Sequence, residues 1–140
     1  MSLSRTSISR LQTCHKDIQA VVLALVPECP FRIQVIEGKR SLERQKELLK
    51  IKATKTLDSK HVTGDKPSNA VDLAPIIAGE IHWQKSEFFI DFAKRFLKKA
   101  EELHQAGVIT SKFRWGGDWN QNGRTDDEKF RDLVHFGRII

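Results

Sequence analysis

The chain has 140 residues, 24 of them Lys or Arg and 18 Asp or Glu, for a formal net charge of +6. That length suits one domain with one real core. Hydrophobic residues at 39%, with only 8 Gly, 4 Pro and 2 Cys, exclude a disordered chain, a multidomain enzyme and a disulfide scaffold. The longest strongly apolar run, residues 20–26, falls far short of the roughly 20 residues a spanning helix needs. A pI near 9.5 favours polyanionic partners, either nucleic acid or an anionic envelope polymer. The basic residues are scattered rather than blocked, which weakens the nucleic-acid option.

Residues 4–25 carry Ile8, Leu11, Ile18, Val21, Val22 and Leu25 at three- and four-residue spacing, which predicts one amphipathic helix stopped by Pro27 and Pro30. Residues 31–36 alternate apolar and polar and predict a strand, with a turn at Gly38. Ser41 is a candidate N-cap for a helix to Lys52, with Leu42, Gln45, Leu48 and Leu49 inward. Residues 53–69 are polar and irregular. Residues 70–74 predict a short strand ended by Pro75, followed by a loop with a hairpin turn at Gly79. Residues 86–105 form the longest predicted helix, with a wide apolar face from Phe88 to Leu103 and Gly107 as its C-terminal cap. Short strands are predicted at 113–115 and 133–139, separated by a polar loop. The pattern is α+β: a compact single domain, with a small antiparallel sheet and flanking helices. No glycine-rich phosphate loop is present.

Cys14 and Cys29 lie fifteen positions apart, form no C-x-x-C pair, and read as reduced, small apolar residues. Of the five histidines, His15, His82 and His104 fit surface or capping roles. His61 and His135 have better neighbours. His61 precedes a strand carrying Asp72 between Val71 and Leu73, and a carboxylate there is expensive unless paired or bound to metal. His135 lies in a second apolar strand. Two imidazoles and a carboxylate make a three-ligand catalytic zinc set with a fourth position left for water. Asp132, three residues before His135, is placed to act as a general base. On spacing alone the same residues also fit two core-edge histidines and a capping aspartate.

Ser59-x-His61-x-x-Gly64, Ala70-x-Asp72, Trp115-Gly-Gly-Asp118-Trp119 and Asp132-x-x-His135-Phe136 occur in that order. Together they resemble the zinc peptidases of the D-Ala-D-Ala carboxypeptidase and dipeptidase family, and most of all the phage endolysins with L-alanyl-D-glutamate peptidase activity. The resemblance runs from Val35 to the C-terminus. It implies His61, Asp72 and His135 as zinc ligands and Asp132 as general base and acid. It implies Arg40 near the substrate carbonyl, with Ser59 as a second-shell or substrate-contacting residue. Trp119 is a candidate for lining the substrate cleft.

The chain departs from the family in two places. His61 and Asp72 are eleven positions apart, wider than usual. Residues 66–69 read as an insertion that keeps the Ala-x-Asp frame, and Asp65 is the rival ligand. Val134 and Gly137 stand where relatives often have Pro and Glu.

Asp118-x-Asn120-x-Asn122-Gly123 matches the first half of a calcium loop. Position twelve is Lys129 rather than Glu, so coordination would need Asp126 or its acidic neighbours. The alternative is a polar turn.

The resemblance implies one zinc peptidase domain over residues 1–140, cutting the stem peptides of bacterial peptidoglycan at the L-Ala–D-Glu bond. The expected protein is a monomer that binds no nucleic acid and spans no membrane. It would be held in the host cytoplasm until release to the wall. A D-Ala-D-Ala carboxypeptidase or dipeptidase, and a non-catalytic wall-binding module, are the alternatives.

Overall fold

The computed structural model describes residues 2–40, 47, 61–63, 66–117 and 133–139. Helix α1 (Arg5–Leu11) starts at Ser4, whose hydroxyl accepts from the Ser7 N–H at 3.1 Å. The single helix expected over 4–25 is in fact two, with α2 spanning Lys16–Leu25. The break has a backbone cause. Between the helices the chain pairs with Ser68: its N–H donates to Thr13 O (2.9 Å), and its carbonyl accepts from His15 N (2.8 Å). The His15 imidazole then caps α2 by accepting from Asp17 N at 3.0 Å.

Among the described residues four strands form one antiparallel sheet: β1 (Arg32–Glu37), β2 (Ala70–Ile76), β3 (Lys112–Trp115) and β4 (His135–Ile139). Their order across the sheet is β1-β2-β4-β3. Strand β2 runs through Pro75 instead of stopping there, opposite Ile33. Leu73, two residues earlier and of the same parity, donates to Val134 O toward β4. Pro75 therefore turns its nitrogen to that same side, beyond the end of the β2–β4 pairing, and no ladder bond is lost. The expected hairpin turn is present: Ile77 and Glu80 exchange backbone bonds of 2.8 and 3.2 Å across Ala78 and Gly79.

The two faces of the sheet differ. Val35, Val71, Leu73, Phe113, Trp115 and Phe136 project to one side and join the core with α2 and α3 (Ser86–Gln105). Phe136 lies at its centre, its ring 4.3 Å from Phe96 and 5.8 Å from Phe92. Helix α3 ends as expected at Gly107, whose φ of 76° suits glycine. Because side chains alternate along a strand, Asp72 and His135 project to the opposite side from Leu73 and Phe136.

Helix α1 covers the outer edge of β1: Ser7 Oγ accepts from Val35 N and Arg10 Nη1 donates to Val35 O, both at 3.0 Å. A buried polar seam ties α2 to β3 and β4. Asp17 Oδ2 accepts from Ser111 Oγ (2.6 Å), Ser111 N (3.1 Å) and Thr110 N (3.3 Å). Arg138 Nε in turn donates to Ser111 Oγ at 2.7 Å.

Both cysteines are free and buried. Among the described residues no helix is long and apolar enough to cross a membrane. The helix expected over 41–52, with its inward residues, lies outside the described residues except for Glu47, which is helical.

Candidate metal centre

Asp72 and His135 are direct partners across β2 and β4. Their neighbours Leu73 and Val134 carry the ladder bond, so Asp72 and His135 form a non-hydrogen-bonded pair, where side chains of antiparallel strands come closest. His61 closes the group. Its Nε2 lies 3.2 Å from Asp72 Oδ1 and 3.2 Å from His135 Nδ1, and the last two atoms are 3.4 Å apart. All three residues are buried.

One hydrogen bond sets the chemistry of His61. Its Nδ1 lies 2.7 Å from Gly38 O. A carbonyl only accepts, so Nδ1 carries the proton and the neutral ring points its Nε2 lone pair at the other two donors. A histidine ligand is commonly held by such a carbonyl. The carbonyl can approach because residue 38 is glycine: a Cβ there would run into Arg10 O and Thr13 Oγ1, with Cys14 Sγ at 3.1 Å.

The donor set fits a metal ion. Donors 2.0–2.1 Å from a tetrahedral centre sit about 3.3–3.4 Å from one another, and the three observed separations are 3.2, 3.2 and 3.4 Å. Two imidazole nitrogens with one carboxylate oxygen is also a zinc-type donor set. The local field favours positive charge. Burial pushes the Asp72 carboxyl up, but hydrogen bonds to His135 and His61 outweigh it and hold the group well below the usual carboxylate range. Burial pushes the His61 imidazole down, but the bond to Asp72, the Asp72 charge and the Gly38 carbonyl raise it above its ordinary value.

Arg40 stands beside this group. Its backbone N–H donates to His61 O at 2.7 Å. Its guanidinium forks onto Glu37, Nε to Oε1 at 2.9 Å and Nη2 to Oε2 at 2.5 Å, while Asp72 Oδ2 lies 3.9 Å from Nη2. Glu37 reaches this position through a bulge. Val35 pairs with Leu73 and Glu37 with Asp72, leaving Ile36 as the extra residue. Glu37, Asp72 and His135 thus stand in one row across three strands.

The sequence-predicted ligands His61, Asp72 and His135 are brought together, with Arg40 at their side. Asp132, Ser59, Trp119, the rival ligand Asp65 and the calcium-loop residues Asp118, Asn120, Asn122 and Asp126 lie outside the described residues. Residue patterns had given Gly38 only a turn and Glu37 no role. The available signal was a carboxylate closing an alternating strand three residues before an arginine.

The family profile of phage L-alanyl-D-glutamate peptidases matches residues 1–139. The L-alanyl-D-glutamate peptidase of Escherichia phage T5 is 30% identical over 138 residues, covering 96% of this chain and 93% of that protein. The crystal structure of the Serratia marcescens L-Ala D-Glu endopeptidase ChiX matches with a TM-score of 0.73 and 25% identity, over 99% of this chain and 90% of that one.

Proposed function

The chain belongs to the family of phage L-alanyl-D-glutamate peptidases, and we propose that it works as a zinc enzyme through His61, Asp72 and His135. It is a peptidoglycan-hydrolysing endopeptidase, and the bond favoured for cleavage is L-Ala–D-Glu of the stem peptide. The convergence of three donor atoms at tetrahedral edge lengths carries the metal assignment.

Zinc held there supplies Lewis-acid polarisation of the scissile carbonyl and lowers the pKa of an attacking water toward about 7. The rest is done by side chains. Asp132 takes the proton from the attacking water and passes it to the leaving amine nitrogen. Arg40 contributes a fixed positive charge beside the developing oxyanion. His61 is kept in its ligating tautomer by the Gly38 carbonyl. Ser59 and Trp119 contact the substrate or its surroundings. Residues 1–140 act as one catalytic domain and as a monomer. The loop of Asp118, Asn120, Asn122 and Asp126 takes calcium and orders the segment leading to Asp132. The enzyme is held in the host cytoplasm until it is released to the wall.

The test is mass spectrometry of purified peptidoglycan digested by the zinc-loaded protein. New ends at L-Ala and D-Glu are expected. Release of terminal D-Ala alone would move the activity to the carboxypeptidase branch. An intact wall with zinc bound would leave a wall-binding module.

A further inference from the structure

We propose that Glu37 is a positioning residue: it draws the Arg40 guanidinium off the Asp72 carboxylate and so keeps that carboxylate open to a metal ion. The proposal rests on the metal assignment above. Among the described residues Arg40 Nη2 faces two carboxylates, Glu37 Oε2 at 2.5 Å and Asp72 Oδ2 at 3.9 Å. Charge-assisted bonds of this kind close to about 2.7–2.9 Å, so the guanidinium stands roughly 1 Å short of a bond to Asp72. Among the described residues no backbone contact imposes that gap. The Arg40 backbone is pinned by its bond to His61 O, and between these two carboxylates the side chain grips Glu37.

Glu37 wins because it offers both oxygens in the fork geometry that arginine prefers, to Nε and Nη2 together. The bulge at Ile36 is what sets those oxygens beside Asp72. Without the second carboxylate, Arg40 closes on Asp72 and competes with the cation for it. Glu37 therefore lets a permanent positive charge sit next to a metal ligand without disabling it.

The test is a double-mutant cycle on zinc affinity, read by competition with a chromophoric chelator on the full chain. Glu37→Gln keeps the shape but can accept only one of the two bonds. It should raise the zinc dissociation constant about 10- to 100-fold, the usual range for an outer-shell partner of a ligand. Arg40→Gln alone should change it little. The double variant should return close to the Arg40→Gln value, because the competitor is gone. Non-additivity of this sign supports the proposal. If Glu37→Gln weakens zinc equally with and without Arg40, Glu37 acts only through its own charge and the proposal fails. Unchanged affinity in Glu37→Gln also overturns it. The cobalt spectrum gives a second readout: the wild-type ligand-field bands should be altered in Glu37→Gln and regained in the double variant. Circular dichroism checks the fold, and if Glu37→Gln unfolds, Glu37→Asp takes its place in the same cycle. If the wild-type chain binds no zinc, the metal assignment itself falls, separately from the role of Glu37.

Discussion

Replacing Gly38 by Ala tests the path from helix α1 to the proposed metal ligands. The new Cβ would overlap Arg10 O and Thr13 Oγ1 and reach 3.1 Å from Cys14 Sγ. Thr13 cannot swing away without loss. Its hydroxyl donates to Arg10 O at 2.6 Å and accepts from Lys39 N at 2.9 Å. Arg10 O is backbone, so residues 37–39 must move instead. Overpacking of this kind costs about 1–3 kcal/mol. Unfolding entropy of about 2 cal/mol/K per residue makes each kcal/mol worth roughly 3 °C in a chain of this length. Thermal melts of the metal-free protein should thus fall by about 3–10 °C. The same movement carries the Gly38 carbonyl away from His61 Nδ1, now 2.7 Å distant. Zinc affinity should drop about 10- to 100-fold, as when an outer-shell hydrogen bond to a ligand is removed. Calorimetric titration and melts on one preparation separate the two effects. A variant that melts early yet binds zinc like wild type would refute the coupling between α1, Gly38 and His61.

Three further outcomes are expected. Asp17→Asn should cost about 2–3 kcal/mol at pH 7 in urea titrations, because hydrogen bonds to a charged acceptor are worth roughly 1.5–3 kcal/mol. Burial raises the Asp17 carboxyl, but bonds from Ser111 and Thr110 lower it further, so its folded pKa lies below the ordinary value. Its stabilisation is then complete above the unfolded pKa of about 3.9 and lost as pH falls through the folded value. The gap to the Asn variant should hold from pH 7 to 5 and narrow below about pH 4. An equal gap at pH 3 would show that charge is not its source. Cys14, whose thiol burial pushes up to about 12, should not react with a disulfide reagent at pH 8 until the protein unfolds; labelling of the native chain counted by mass spectrometry would contradict this. Chelation should abolish wall cleavage, and zinc at 100 times its dissociation constant should add about 2.7 kcal/mol, seen as a melting temperature roughly 8–10 °C higher than that of the metal-free chain.

What the sequence disclosed follows from the range of each interaction. Alternation in residues 31–36 and the apolar face of 86–105 are local signals, and both elements formed. Asp72 stood out because an aspartate between Val71 and Leu73 has no cheap explanation, and it does lie beside both histidines. The break at Thr13–His15 was hidden because its cause is Ser68, more than fifty residues away. The run through Pro75 was hidden because it depends on where β4 stops. Glu37 owes its place to a bulge, which a period-two pattern cannot register. Asp132 and Ser59 were singled out by the family resemblance and the calcium loop by its own Asp-x-Asn-x-Asn-Gly spacing, and all of them lie outside the described residues.

The strand order has a consequence for synthesis. Of the four described strands β4 is made last, yet it is inserted between β2 and β3, and it carries both His135 and the core residue Phe136. A nascent chain that has emerged only through β3 has a gap in its sheet, a core without its central ring, and two of the three clustered donor residues. Side-chain alternation adds a second condition: a one-residue slip of β4 against β2 would exchange Phe136 and His135 between faces. The site is therefore assembled only in a chain translated through β4 and in correct register. A truncated or misregistered product does not gather these three side chains, so the cluster forms only as folding is completed.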